Sequence, residues 1–331
     1  MIPVPPPGWA PVFPPDYATE TPAVLLQQLR KSYGPARGVE ELTLSVPHRS
    51  IYGCLGPNGS GKTTTIRILL DLVRRDGGEV RIFGQDPALA GARLRQALGY
   101  LPGELGLPDT MTAGDALLFY AELSGGNVPL RDWACEILQL SAETLRGQLR
   151  FFSKGMKQKV GLVQAVQHAP GLLILDEPTS GLDPVIQVRL FVGLQHLRKA
   201  GVTIFFSSHI LTEVQALCDR VAVLREGRLV VEGPVSQVMQ TGRRALFVRR
   251  SGCHAEYAPA IAGAVPVSGR FRVTHLGEEG WWVYRTDASR TPELLAALHQ
   301  MGPDDFRLES LVEESFLELY GLRPGEEPYG A

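Results

Sequence analysis

The stretch Ile51-Tyr-Gly-Cys-Leu-Gly56-Pro-Asn-Gly-Ser-Gly61-Lys62-Thr63-Thr64-Thr65-Ile66 constrains this chain more than any other. Gly56, four residues, then Gly61-Lys62-Thr63 matches the phosphate-cradling loop G-x-x-x-x-G-K-[ST]. The apolar run before it, Ile51 to Leu55, reads as a buried strand, and the run from Thr65 to Leu70 reads as the first turns of a helix. Strand, loop and helix are the context the motif requires. Gly56, Gly59 and Gly61 permit positive φ and close backbone approach, so that consecutive N–H groups converge on phosphate oxygens. The helix opening near Lys62 adds unpaired donors and the positive end of its dipole. Lys62 is expected to reach the terminal phosphates, and the Thr63 hydroxyl to ligate Mg²⁺. The stretch is a nucleotide-phosphate site.

The rest of the chain supplies an α/β frame for that loop. Short apolar runs at Val24 to Arg30 and Leu42 to Val46 predict antiparallel strands leading into the loop strand. Arg81-Ile-Phe continues this β character after Gly77-Gly78. Helical spacing dominates residues 113–145 and runs again from Lys157 to about His168. Leu172 to Leu175, Val202 to Phe206 and Val221 to Leu224 are continuous apolar runs suited to buried parallel strands, with helical patterns over 184–200 and 210–218 between them. Past Gly233-Pro234, strands are predicted at 245–249, 271–274 and 281–285, with helices at 292–301 and 312–320. That pattern is a small α+β domain.

Composition narrows the function classes. A net charge of −2 argues against a chain that lives by non-specific binding to nucleic acid or anionic lipid. Cys54, Cys135, Cys218 and Cys253 are scattered, which predicts reduced thiols in a cytosolic compartment and neither a zinc site nor a disulfide framework. No stretch approaches the roughly 18 consecutive apolar residues of a membrane span, so a soluble chain is expected. Residues 1–20 are rich in proline and carry neither the basic nor the apolar region of a signal peptide; they read as an extended, mobile tail.

Two adjacent carboxylates, Asp176 and Glu177, follow Leu172-Leu-Ile-Leu at the C-terminal end of a predicted strand, where open α/β sheets bind ligands. Asp176 is placed to hold Mg²⁺, directly or through water, and Glu177 to polarise the water that attacks a γ-phosphate.

The order of these motifs resembles the nucleotide-binding subunits of ATP-binding cassette (ABC) transporters, from about Val24 to Gly233. Gly56, Pro57, Asn58, Gly59, Ser60, Gly61, Lys62, Thr63 and Thr64 match the family's Walker A, and Leu172 to Glu177 its Walker B. Phe152-Ser153-Lys154-Gly155-Met156 is similar to the signature sequence, although Phe152, Lys154 and Met156 depart from its commonest form. Ser180-Gly-Leu-Asp183 is similar to the D-loop, and His209 after Ser207-Ser208 to the switch histidine, which implies contact with the γ-phosphate. Tyr33 stands where the family has an aromatic residue stacking on adenine; packing on the core is the alternative. The resemblance implies that Ser153 and Gly155 complete the ATP site of a second subunit, so that two chains, identical or related, sandwich two ATP molecules head to tail. Where the family usually has a metal-touching Gln, this chain has Gly103 followed by Glu104; either Glu104 substitutes or the contact is missing.

The resemblance also implies a P-loop NTPase core of the ABC ATPase type, with a mixed sheet over residues 21–240 and a helical subdomain over about 104–170. A small α+β domain is expected over 241–331, where Leu308 to Gly321 is similar to the closing helix of export subunits. The implied function is ATP hydrolysis, with ATP and Mg²⁺, driving export through a separate transmembrane permease at the cytosolic face of the membrane, with no nucleic acid as partner. An importer subunit, or a soluble ABC ATPase of translation or DNA repair, is the alternative. One cassette, no heptad run and no basic patch weigh against the latter.

Overall fold

The computed structural model describes residues 2–15, 17, 20–34, 36–238, 243–249, 265–266, 281–287 and 305–310. The chain divides into two compact units, Met1–Val235 and Ser236–Ala331.

The first unit begins with the antiparallel strands β1 (Val24–Tyr33) and β2 (Ala36–Val46). Val24, Leu26 and Leu29 of β1 all face the core. The step from 26 to 29 breaks the two-residue period because Gln28 takes a left-handed φ of 48° at a bulge, which returns Leu29 to the inner face. Next come β3 (Ile51–Leu55), α1 (Lys62–Leu69), β4 (Gly77–Ile82), α2 (Pro87–Gln96) and β5 (Leu98–Leu101). Helix α2 has no counterpart among the expected elements, although Asp86-Pro87 signals its start: the Asp86 carboxylate caps the Ala88 N–H at 3.0 Å and Pro87 opens the first turn.

A helical group comes after β5, made of α3 (Ala113–Leu123), α4 (Arg131–Ile137), α5 (Ala142–Arg146) and α6 (Lys154–Val166). Leu117, Trp133, Ile137, Leu149, Val160 and Val163 are buried within it. Gln167 and Arg131 join its parts: both donate to the Leu117 carbonyl at 3.0 Å, and Arg131 also donates to the Gln167 side chain at 2.9 Å. The chain then alternates through β6 (Leu172–Asp176), α7 (Pro184–Lys199), β7 (Thr203–Ser208), α8 (Leu211–Leu217), β8 (Arg220–Arg225) and β9 (Arg228–Pro234).

Two sheets result. One is antiparallel, in the order β2-β1-β4; the other is six-stranded, in the order β5-β6-β7-β3-β8-β9, parallel except for β9. Every residue of β3, β6 and β7 is buried, which is why these strands are mainly apolar, with Asp176, Thr203, Ser207 and Ser208 as polar exceptions at strand ends. Leu26, Leu42, Val80 and Ile82 of the antiparallel sheet share one core with Ile66 and Leu69 of α1 and with Ile174 and Phe205 of the parallel sheet. Each such side chain contributes about 1.5–3 kcal/mol.

Residues near the N-terminus differ from the mobile tail expected of them. Val12 accepts from the Gly171 N–H and donates to the Ala169 carbonyl, at 2.9 and 2.8 Å, and the Pro3 carbonyl accepts from the Trp133 indole at 3.0 Å. Phe13 stacks on Tyr17 at 4.2 Å, and both rings meet the edge or face of buried Phe83. The physical reason is that an extended proline-rich backbone has no internal hydrogen bonds, so its carbonyls and N–H groups are free for neighbours.

Val235–Val238 forms the short α9 at the boundary between the units. In the second unit β10 (Arg243–Arg249), β11 (Val265–Pro266), β12 (Trp281–Asp287) and β13 (Asp305–Ser310) pair antiparallel in the order β11-β12-β10-β13. Leu308–Ser310, expected to open a closing helix, belongs instead to β13, with Leu308 opposite Leu246. The strand-like alternation of Asp-Phe-Arg-Leu-Glu-Ser outweighs the helical pattern beyond it. The strand expected at 271–274, the helix at 292–301 and the rest of the closing helix lie outside the described residues.

A cavity of about 20 Å³ lies between α4, α6 and α7, beside Gly193. A methyl group on Gly193 would sit 3.5 Å from Ile137 and 3.6 Å from Trp133, ordinary van der Waals contact. Gly193→Ala therefore both fills space and improves helix propensity. We expect it to raise the thermal midpoint by about 2–4 °C in calorimetry, the equivalent of about 1 kcal/mol; a lower midpoint contradicts this packing.

Candidate nucleotide site at the ends of the parallel strands

The loop between β3 and α1 is shaped by Gly61, which caps α1 at a φ of 102°. No side chain caps that helix end, so its first N–H groups point into the loop. The buried Ser60 hydroxyl has no hydrogen-bond partner among the described residues. Lys62 is 5% exposed, and its ammonium donates to the Gly56 and Pro57 carbonyls at 2.6 and 3.2 Å. Asn58 and Gly59 form the exposed crest of the loop, and Thr64 is half-buried behind it. Donors, a buried orphan hydroxyl and a cation thus converge on one concave turn, a fitting cradle for phosphate.

Strand order brings the carboxylates to this loop. Asp176 ends β6 opposite Ser207 of β7, and Leu55 ends β3 opposite Ser208. Asp176 is 1% exposed; its Oδ2 accepts from the Thr63 hydroxyl at 2.9 Å and its Oδ1 from the Ser207 hydroxyl. Glu177 takes a left-handed φ of 50°, a conformation that costs a non-glycine residue about 1 kcal/mol or more. Its N–H donates to the Ser207 carbonyl, and its own carbonyl accepts from the Gln158 amide at 3.3 Å. The turn aims the Glu177 carboxylate back over the loop. There Oε1 lies 3.4 Å from the Lys62 ammonium, and Oε2 lies 2.7 Å from His209 Nδ1.

Ser207 and Gln158 are site residues that sequence reasoning does not single out. Ser207 precedes the histidine in a Ser-Ser-His run, a usable signal; Gln158 is a polar residue on a helix, and only its burial at 2% marks it. Burial pushes the Cys54 thiol on β3 up to about 12, so this cysteine beneath the loop is chemically inert.

Other expected residues lie at neighbouring positions. A methyl on Gly103 would come 3.4 Å from Asp176 Oδ2, so this position borders the carboxylate. Ser153 caps α6 by accepting from the Met156 N–H at 3.2 Å, and Asp183 caps α7 by accepting from Ile186 at 3.0 Å. Gly155, in the first turn of α6, lies so close to Gly181 that a Cβ would stand 2.3 Å from its carbonyl oxygen, so the helix start packs tightly on that turn. Among the described residues no hydrogen bond joins Ser153 or Asp183 to the Lys62, Glu177 and His209 group. Tyr33 ends β1 with its ring exposed and the Lys31 ammonium 5.5 Å from the ring centre, so it is a surface ring and not a core one.

Together the parallel sheet, the loop at the end of β3 and the paired carboxylates at the end of β6 define a P-loop nucleoside triphosphatase with an inserted helical group. Comparison with known proteins narrows this class. The family model described as "ABC transporter" matches residues 39–180. A bacitracin transport ATP-binding protein of Bacillus licheniformis is 39% identical over 221 residues, which cover 66% of this chain and 72% of the relative. A linearmycin resistance ATP-binding protein of Bacillus subtilis is 34% identical over 249 residues, covering 73% and 79%. A daunorubicin/doxorubicin resistance ATP-binding protein of Streptomyces peucetius is 34% identical over 233 residues, covering 69% and 71%. A solved structure of an ATP-binding subunit of an ABC transporter superposes with a TM-score of 0.61 at 28% identity, over 66% of this chain and 92% of that one. A second model, described as an AAA domain, putative AbiEii toxin, matches only residues 147–214.

The chain belongs to the ATP-binding, ATP-hydrolysing subunits of ABC transporters. Among the described residues, no helix is long and apolar enough to cross a membrane.

Cys54, Cys135 and Cys218 are all buried. Iodoacetamide at pH 8 is expected to leave these three unmodified in the native protein, read by mass spectrometry of the digest, and to modify them in denaturant. Labelling of native Cys54 contradicts the assigned environment.

Proposed function

We propose that this chain is the motor of an exporter, and that the contiguous Lys62, Glu177 and His209 group is its hydrolytic centre. The observation that carries this reading is the pair of contacts from one carboxylate, 3.4 Å to the ammonium and 2.7 Å to the imidazole, above the phosphate cradle. Glu177 accepts a proton from the attacking water. His209 holds Glu177 in line and reaches the γ-phosphate, and Lys62 and the loop N–H groups offset the charge that develops on the phosphate oxygens. The Thr63 and Asp176 oxygens, 2.9 Å apart and bordered by Gly103, suit a hard cation. Mg²⁺ held there supplies charge neutralisation on the β- and γ-phosphates.

Ser153, Gly155 and Asp183 act on the ATP of a second protomer, and Tyr33 stacks on adenine. The close approach of Gly155 to Gly181 supports this assignment, since it packs the signature segment at the start of α6 against the D-loop. A consequence is that turnover per chain rises with protein concentration.

The partner is a transmembrane permease. The names of the relatives speak of bacitracin transport and of linearmycin and daunorubicin/doxorubicin resistance, which favours export of amphipathic drug-like compounds. Leu118, Phe119 and Leu123 on α3, and Phe151, are exposed apolar side chains of the helical group, the group that receives the permease. The loop from Gly103 to Thr112 runs from Asp176 towards that group and transmits the state of the site.

The test is co-purification of tagged chain from detergent-solubilised membranes. A polytopic membrane protein is expected to accompany it. Leu118→Asp with Phe119→Asp should cut recovery of that partner by about tenfold or more while sparing ATP binding. Recovery of ribosomes or DNA-repair factors, with no membrane protein, contradicts the exporter reading.

A further inference from the structure

We propose that Glu213 is a positioning residue for His209, acting through Ser208. This inference rests on the role proposed above for His209. It begins with the alternation of side chains along β7: Ser207 points to Asp176, and Ser208 points to the opposite side, where it meets Glu213. Ser208 is fully buried and Glu213 is 6% exposed. The Ser208 hydroxyl donates to Glu213 Oε2 at 2.5 Å, and its oxygen accepts the Ile210 N–H at 2.9 Å. The Ser208 carbonyl in turn accepts from the Gly56 N–H at 3.3 Å, at the entrance of the phosphate loop.

His209 is thus the residue between two anchored neighbours. Its own side chain is 35% exposed, so packing alone does not fix the imidazole; the turn that carries it and its bond to Glu177 both help to set its direction. A hydroxyl on a carboxylate makes a charge-assisted bond of defined direction, stronger than a neutral one. It also supplies the polar partner without which a buried carboxylate is costly. Glu213, in the first turn of α8, therefore clamps the histidine turn to the helix behind it. Among the described residues, the one side-chain hydrogen bond to the Glu213 carboxylate comes from Ser208, so its role lies with the turn and not with the cradle loop or Asp176. Its value is the fixed turn.

The test combines ATP turnover with amide hydrogen exchange on the full chain. Glu213→Ala and Ser208→Ala are expected each to lower kcat about tenfold with KM for ATP within about twofold, and to speed exchange at Ile210 by about tenfold or more. Glu213→Gln keeps an acceptor for the Ser208 hydroxyl and should stay within about threefold of the native kcat, with native exchange at Ile210. In a His209→Ala background, Glu213→Ala should cause no further loss. Native exchange at Ile210 in Glu213→Ala, or losses from Glu213→Ala and His209→Ala that multiply, overturn the proposal. Should His209→Ala itself retain full turnover, the role of His209 falls, and Ile210 exchange then decides the clamp alone. If Glu213→Ala does not fold, Ser208→Ala removes the same bond from its other end and is read in its place.

Discussion

The register of three parallel strands is the constraint on which the site depends. Leu55 lies opposite Ser208, and Asp176 lies opposite Ser207, so the ends of β3, β6 and β7 finish level with one another. The strands are mainly apolar along their length, and Asp176, Ser207 and Ser208 stand at the ends of β6 and β7, which gathers these polar groups in one place. A shift of one residue in any of the three would send Asp176 or Ser208 to another neighbour and leave a buried polar group without its partner, at a cost of about 1–3 kcal/mol. The same apolar pattern that makes the core therefore aligns the chemistry.

At that junction charges are kept close and dry. Lys62 is 5% exposed and Asp176 1%. Lys62 pairs with Glu177 at 3.4 Å, and removing either leaves the other without its counter-charge, so the group is interdependent and its contributions do not add. Glu177 is held in a left-handed backbone conformation by the Ser207 and Gln158 hydrogen bonds, which offset the strain of placing a carboxylate between an ammonium and an imidazole. In the proposed cycle, phosphate takes the place of the loop carbonyls as the partner of Lys62, and catalysis comes from positioning and from preorganised charge.

Much of this is legible in the sequence. The phosphate loop, the two carboxylates and the histidine can be read because each comes after a buried strand whose apolar run is visible without a structure. Ser207 is marked only by its place in the Ser-Ser-His run, while Gln158 and Glu213 are not marked at all, because what they do depends on burial and on tertiary partners. The docking of Val12 and Phe13 escapes for a similar reason: proline-rich composition describes how a segment behaves alone, while its contacts with Gly171 and Phe83 are tertiary. Leu308 is misplaced because a strand-like stretch runs directly into one with helical spacing, and local pattern alone does not mark where one ends.

The central claim is that Glu177 performs the chemistry and is not required to bind ATP. Steady-state turnover of Glu177→Gln at saturating ATP and Mg²⁺, at protein concentrations where the native chain is fully active, tests it most directly. The account predicts that turnover falls by about a hundredfold or more while ATP affinity stays near native and a closed, ATP-bound dimer accumulates. Wild-type turnover in that variant would contradict it.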